Sequence, residues 1–216
     1  MKKIALNGSE YFVGKIVCVG RNYVEHAKEL GNDAPNYPIL FLKPPSALIF
    51  NGENIEYPPF TKNMHHEVEL VLLIGEDLKN ATLEEAEKGI AGYAVGLDMT
   101  ARDLQNEYRK EGNPWTVSKC FDTSAALSEF VSAADNRNIL ENEIELQIND
   151  IVRQRDKLSL MIFSPVQLVS FISSRMKLEA GDLIYTGTPK GVSAVQVGDK
   201  LSAKIGDLCS LTVGVV

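Results

Sequence analysis

Glu67-Val68-Glu69 is the stretch of the chain whose residue types say most about chemistry. On a strand, residues two apart share a face, so both carboxylates point the same way. They lead into Leu70-Val71-Leu72-Leu73-Ile74, a run apolar enough to be buried. A carboxylate carried into such surroundings is costly unless it is paired or bound to a metal. Asp98 repeats the situation at the end of Ala94-Val95-Gly96-Leu97. Three carboxylates without a matching Cys or His spacing form an oxygen-rich set, which suits Mg2+ or Mn2+ better than Zn2+. Spacing alone leaves the other reading equally open: Glu67 and Glu69 on the wet face of a strand, Asp98 capping a loop.

His26 and Glu29 lie three apart in Tyr23-Val24-Glu25-His26-Ala27-Lys28-Glu29, so a helix places them on one face. A carboxylate beside a histidine raises its basicity and fixes its tautomer, as a water-activating base requires. Taken alone, an exposed helix pair is the commoner meaning of that spacing. His65-His66 directly precede Glu67, and a structural role beside the acids is expected for them. Lys119 stands in the otherwise uncharged Trp115-Thr116-Val117-Ser118-Lys119-Cys120-Phe121, either snorkelling at the surface or aimed into a pocket. Gly187-Thr188-Pro189 is a turn whose backbone donors and hydroxyl suit a carboxylate, or simply one that ends a strand.

The elements that must position these groups are mostly short strands. Lys3 to Leu6 and Glu10 to Val13 flank an Asn7-Gly8 turn, the pattern of a hairpin. Strands are predicted over Ile16 to Val19, Ile39 to Leu42, His66 to Ile74, Gly92 to Leu97, Glu143 to Ile148 and Ile151 to Gln154. Helices are predicted over Arg21 to Leu30, ending at Gly31, and over Leu83 to Lys88 behind a Thr82/Glu85 capping box. A third covers Arg102 to Lys110, and a fourth follows Ser164 with Pro165 at its first position and Val166, Val169 and Ile172 on one face. Gly181-Asp182, Gly198-Asp199 and Gly206-Asp207 each precede a short strand. Strands and helices do not alternate, which argues against a doubly wound or barrel α/β fold and for a β-rich α+β domain. No Gly-x-Gly-x-x-Gly, P-loop or Gly-x-Ser-x-Gly motif is present.

With 29 acidic and 22 basic residues among 216, the net charge is −7, which argues against nucleic-acid or anionic-membrane partners. No apolar run is long enough for a membrane span, and the start of the chain has no apolar signal core. Cys18, Cys120 and Cys209 are odd in number and widely spaced, as expected of reduced thiols in a cytoplasmic protein.

Five motifs occur in one order. They are Gly20-Arg21-Asn22-Tyr23 with His26 and Glu29, Phe41-Leu42-Lys43-Pro44, His66-Glu67-Val68-Glu69-Leu70, Leu97-Asp98-Met99-Thr100-Ala101-Arg102-Asp103, and Gly181-Asp182 with Thr186-Gly187-Thr188-Pro189-Lys190-Gly191-Val192. From about Ile16 to the C-terminus, the chain resembles the fumarylacetoacetate hydrolase family, and most of all its short acylpyruvase branch. The resemblance implies a mixed β-roll with a few peripheral helices, in one catalytic domain over residues 1–216. Residues 1–15 would be a hairpin and about 21–31 a lid over bound substrate. It further implies a homodimer and a divalent cation, Mg2+ or Mn2+, held by Glu67, Glu69 and Asp98. The N-terminal domain of longer relatives, with its substrate contacts, is not expected.

In the implied reaction the cation chelates a pyruvate-like 2-oxo acid and polarises its carbonyl. Glu29 supports His26 as the base that activates water, Lys119 counters developing negative charge, and Arg21, Gln105 and Thr188 contact substrate. The expected outcome is cleavage of a C–C bond in acylpyruvates such as acetylpyruvate or fumarylpyruvate. The same electron sink also serves decarboxylation or tautomerisation of oxaloacetate, or a related isomerisation. A non-catalytic 2-oxo-acid binder is the third reading, and the His26–Glu29 pair argues against it, because a binder needs no base over its site.

Overall fold

The computed structural model describes residues 2–216. Strands β1 (Lys3–Leu6) and β2 (Ser9–Phe12) form the expected hairpin, closed by Asn7 and Gly8 at φ 50° and 79°, the left-handed pair that such a turn requires. There follow β3 (Ile16–Gly20), α1 (Val24–Glu29), β4 (Ile39–Lys43), β5 (Leu48–Phe50), β6 (Asn54–Ile55) and β7 (Met64–His65). The middle of the chain supplies β8 (Val68–Ile74), α2 (Leu83–Lys88), β9 (Ile90–Asp98), β10 (Thr100–Ala101), α3 (Arg102–Glu111), α4 (Thr116–Lys119), β11 (Ala125–Leu127) and β12 (Val131–Ser132). The last third adds β13 (Glu143–Ile148), β14 (Ile151–Lys157), α5 (Pro165–Arg175), β15 (Leu183–Tyr185), β16 (Lys200–Ile205) and β17 (Cys209–Val215). No described helix is long and apolar enough to cross a membrane.

The larger sheet is mixed, in the order β4-β3-β15-β8-β9-β11-β5, with β12 also on β9. β15 runs parallel to β3, β11 runs parallel to β5, and the other pairs are antiparallel. The smaller sheet has the order β14-β13-β16-β17-β6. The outcome is the expected β-rich α+β fold of mixed sheets with few helices. Every residue of β8 is buried, because both of its faces are covered. Leu70, Leu72 and Ile74 join a core shared with Ile144, Leu146, Leu201 and Leu211 of the smaller sheet and Val169 and Ile172 of α5. Val71 and Leu73 face the other way, toward Cys18, Leu183, Tyr185 and the hairpin residues Ile4 and Leu6.

Strand register places the three acids together. Glu69 lies two residues before Val71, hence on the Cys18–Tyr185 face, and Glu67 two residues before that. Across the β8–β9 ladder Glu69 pairs with Gly96, and Asp98 lies two residues beyond Gly96. Gly96 itself lets the Tyr185 ring pass, so that the Tyr185 hydroxyl donates to Ala126 O at 2.9 Å. A Cβ there would lie 2.7 Å from both Tyr185 Cε1 and Val71 Cγ2 and 2.9 Å from Ala126 O.

Two helices differ from the sequence reading. The expected helix over Arg21 to Leu30 is confined to Val24–Glu29, since Arg21 is left-handed (φ 60°) and Asn22 is engaged elsewhere. Asn22 donates to Phe163 O (2.9 Å) and Thr186 O (2.8 Å) and accepts from Phe163 N (2.7 Å). In α5 the core face carries Leu168, Val169 and Ile172, while Val166 is half-buried. Cys209, whose apolar strand-like surroundings in the sequence suit a small core filler as those of Cys18 do, is only half-buried, whereas Cys18 is buried.

His66, as expected, is structural. Gln154 Nε2 donates to Thr188 Oγ1 (2.8 Å) and Pro189 O (2.7 Å), so its Oε1 accepts from Val68 N (3.1 Å) and His66 Nδ1 (2.8 Å). This assigns the proton to Nδ1 and leaves Nε2 to accept from Ser193 Oγ at 2.8 Å. Burial is the main cause that lowers the His66 pKa to about 4.

Two stability predictions follow from these contacts. Gly96→Ala overpacks the Tyr185 pocket and is expected to cost about 2 kcal/mol; an unchanged urea midpoint would contradict the packing described. Between pH 6.5 and 4 the unfolded chain protonates His66 while the folded chain does not, so stability falls as pH falls through that window. From pH 7 to 5 this group contributes a loss of about 2 kcal/mol. His66→Gln should therefore show a shallower fall in unfolding free energy over that range, and an unaltered slope would refute the assignment.

Candidate metal centre and active-site cleft

Six buried charged side chains meet where the Cys18–Tyr185 face runs out of apolar residues. Three are acids, Glu67, Glu69 and Asp98, each offering an oxygen within 4.8 Å of the others. Three are bases: Lys43 at the end of β4, Arg102 at the start of α3 and Lys119 at the end of α4. Lys119 Nζ donates to Glu67 Oε2 (2.8 Å), Asp98 Oδ2 (2.5 Å) and Thr100 Oγ1 (2.6 Å), which engages all three of its N–H bonds. Arg102 bonds Glu67 Oε1 and Gln105 Oε1. Lys43 donates to Ser124 Oγ (2.9 Å), Met99 O (3.2 Å) and Lys119 O.

The acids are not equally compensated. Burial opposes ionisation of Glu67, but Lys119 and Arg102 outweigh it and hold that carboxyl well below the usual carboxylate range. For Lys119 burial disfavours the charge, and Asp98 and Glu67 overcome it, so the ammonium is held above its ordinary range. Among the described residues Glu69 has no cation within ion-pair distance, and its only hydrogen bond there comes from Gly187 N at 2.7 Å. Burial first, then Asp98 and Glu67, push its carboxyl well above the usual range. Asp98 Oδ1 lies 2.9 Å from Lys43 Nζ, yet the direction is wrong for a hydrogen bond and that buried oxygen has no donor among the described residues. The centre thus presents an uncompensated carboxylate and a donorless carboxylate oxygen side by side. An oxygen-only donor set of this kind fits a hard divalent cation.

Above the acids a cleft is lined by Arg21, His26, Glu67, Glu69, Gln105, Lys119 and Thr188, seven of the nine residues expected from the sequence. The remaining two lie behind it: Asp98 beneath Lys119, and Glu29 behind His26. His26 Nδ1 is 3.2 Å from Glu29 Oε2, and Glu29 also accepts from Gly191 N at 3.1 Å. Burial disfavours the Glu29 charge, but the bonds from His26 and Gly191 prevail and hold its carboxyl below the ordinary range. Nε2 of His26 has no protein partner among the described residues. Gln154 uses the Thr188 oxygen as an acceptor, which frees the Thr188 hydroxyl proton. Likewise Arg102 occupies the Gln105 carbonyl, so the amide NH2 of Gln105 is free to donate.

Lys43, Arg102, Arg109, Phe41 and Trp115 also belong to the centre and its cleft, with no role expected from the sequence. Lys43 carried a signal, as a lysine inside a run otherwise fit for burial. Arg102 did so only by following Asp98 at a strand-to-helix junction.

The fold and this centre define a class of enzyme. The chain belongs to the fumarylacetoacetate hydrolase family, since residues 15–216 match the family described as fumarylacetoacetate (FAA) hydrolase C-terminal. Among curated relatives, the oxaloacetate tautomerase YcgM of Escherichia coli is 43% identical over 208 residues, 96% of this chain and 94% of that one. A mitochondrial oxaloacetate tautomerase of Arabidopsis thaliana, FAHD1, is 47% identical over 191 residues, covering 88% of this chain and 86% of its own. Among solved structures, the fumarylpyruvate hydrolase of Pseudomonas aeruginosa in complex with Mn2+ and pyruvate is 39% identical. It superposes with a TM-score of 0.93 over 100% of this chain and 95% of its own.

Because Glu69 is the acid without a cation, Glu69→Gln is expected to stabilise the metal-free protein by about 1 kcal/mol. A lower melting temperature for that variant would contradict the imbalance described.

Proposed function

We propose that the chain is a divalent-cation-dependent enzyme of small 2-oxo acids, with tautomerisation of oxaloacetate as its reaction. The observation that carries this reading is the meeting in one cleft of a buried acidic triad and a His–Glu pair. The first suits a divalent cation, and the second suits proton transfer. The relatives named oxaloacetate tautomerase, at 43% and 47% identity over most of both chains, favour that reaction among those the cleft can support.

Glu67, Glu69 and Asp98 hold the cation, either Mg2+ or Mn2+, and the Mn2+ of the Pseudomonas aeruginosa hydrolase supports this assignment. When bound, that ion supplies Lewis acidity at the 2-oxo group and neutralises substrate charge. Thr188 and Gln105 orient the substrate with the donors left free by Gln154 and Arg102. Lys119 contributes fixed positive charge, since its N–H bonds are already engaged. Glu29 holds the His26 ring through Nδ1, and Nε2 takes the proton from one substrate position and returns it to another, which interconverts enol and keto forms with no net change in atoms. The segment at about 21–31, tied down by Asn22 at its start and by the Glu29–Gly191 contact, serves as the lid. The functional unit is one catalytic domain, in a homodimer.

Hydrolysis of acylpyruvates is the second reading, favoured by the fumarylpyruvate hydrolase at 39% identity. The same His26–Glu29 pair then removes a proton from water for attack on the 4-carbonyl.

The test is to follow oxaloacetate enol–keto exchange and acetylpyruvate cleavage with Mn2+-loaded protein. His26→Ala is expected to lower tautomerase kcat by about 10²- to 10⁴-fold, the usual contribution of a general acid–base, while Mn2+ binding persists. Full activity after exhaustive chelation would sink the cation-dependent reading, and wild-type turnover in His26→Ala would sink the proposed proton transfer.

A further inference from the structure

The floor of the cleft is formally balanced, three acids against three bases, but its rim is not. Two guanidiniums, Arg21 and Arg109, line the cleft there, and neither lies within ion-pair distance of a carboxylate among the described residues. Arg102, by contrast, is paired with Glu67. In α3, Arg102, Gln105 and Arg109 are spaced i, i+3, i+7, so one helix face runs from the acidic floor to the rim, roughly 10 Å at 1.5 Å per residue. Arg109 Nη1 also reaches Leu30 O, at the end of the lid helix, at 3.4 Å.

Arg21 is held in place at a cost. Its φ of 60° is a left-handed conformation that non-glycine residues rarely adopt, and the adjacent Asn22 clasp fixes it. Burial, and then repulsion from Arg109, lower the Arg21 pKa from its ordinary value. Leu30, Phe41 and Trp115 complete this part of the cleft with apolar surface, which strengthens the pull of the two cations on an anion.

We infer that Arg21 and Arg109 form a second anion subsite, which takes the far carboxylate of a dicarboxylic 2-oxo acid and makes the enzyme selective for dianionic over monoanionic substrates. This rests on the proposed binding of a 2-oxo acid at the acidic centre. The head of the ligand sits over the floor, and its other end is drawn to two charges that no carboxylate among the described residues neutralises. Arg109 acts from α3 and Arg21 from the end of β3, so the distal carboxylate bridges the two elements beside the lid. A monocarboxylic acid of the same length leaves both guanidiniums unpaired.

The test uses two unreactive ligands of equal chain length, 2-oxoglutarate and 2-oxopentanoate, with oxalate as a probe of the floor alone. Calorimetric Kd values are measured on Mn2+-loaded wild type, Arg109→Gln, Arg109→Lys and Arg21→Asn; Asn tolerates the left-handed backbone at position 21. Wild type is expected to bind 2-oxoglutarate at least tenfold more tightly than 2-oxopentanoate. Arg109→Gln and Arg21→Asn should bring that ratio most of the way to one, and Arg109→Lys should keep most of it. If oxalate binds but the ratio is near one in wild type, or is unchanged in both neutral variants, the subsite is wrong while the 2-oxo-acid reading stands. If neither oxalate nor either 2-oxo acid binds, the reading beneath fails and takes the subsite with it.

Discussion

Three carboxylates are tolerable side by side in this interior only because three cations are buried with them. Ions in such surroundings face a desolvation penalty of several kcal/mol each, and removing one partner of a buried pair leaves the other uncompensated. The six groups come from β4, β8, β9, α3 and α4 and the residue just ahead of β8. The contacts that hold the site are therefore also contacts that hold the larger sheet to the helices beside it. Lys43 shows this best: its ammonium reaches the backbone of Met99 and Lys119 and the hydroxyl of Ser124, closing β4 over elements that lie 56 to 81 residues further along the chain. Balance is nearly reached and stops short at Glu69, the one acid of the triad with no cation within ion-pair distance among the described residues.

What the sequence made readable depended on whether the signal was local. Alternation placed Glu67 and Glu69 on one face, the end of an apolar run marked Asp98, and an otherwise uncharged stretch singled out Lys119 while leaving open whether it snorkels or points into a pocket. Helical spacing paired His26 with Glu29. The Thr82 cap and the Asn7-Gly8 turn came through for the same reason, since their physics lies within four residues. The strand order did not. β15 pairs with both β3 and β8, inserting a segment from residue 183 onward between strands that begin at 16 and 68. No local pattern encodes such a long-range choice, and the partners of Lys43 and Arg102 depend on it. The shortening of α1 was hidden likewise, because Asn22 is claimed by Phe163 and Thr186, over 140 residues away.

A single turn ties together parts that the sheet keeps apart. Between Thr186 and Gly191 the backbone bonds Glu69 through Gly187 N, offers the Thr188 hydroxyl to the cleft, and bonds Glu29 through Gly191 N. Gly187 is confined to glycine by its φ of 100° and by Asn22, whose Cβ would stand 2.7 Å from a Cβ placed there. An acid of the triad, a hydroxyl facing the cleft and the carboxylate behind His26 thus share one turn. Displacement of one is transmitted to the other two.

The two ends of α3 are under different constraints. At its first residue, Arg102 is locked by Glu67 and Gln105 in a network that cannot change without unbalancing the interior. Two turns later the helix is exposed, and the Arg109 guanidinium donates to Leu30 O. The outer end can therefore change without disturbing a buried ion pair, whereas the inner end cannot, so one helix carries both a fixed anchor and a freely variable tip.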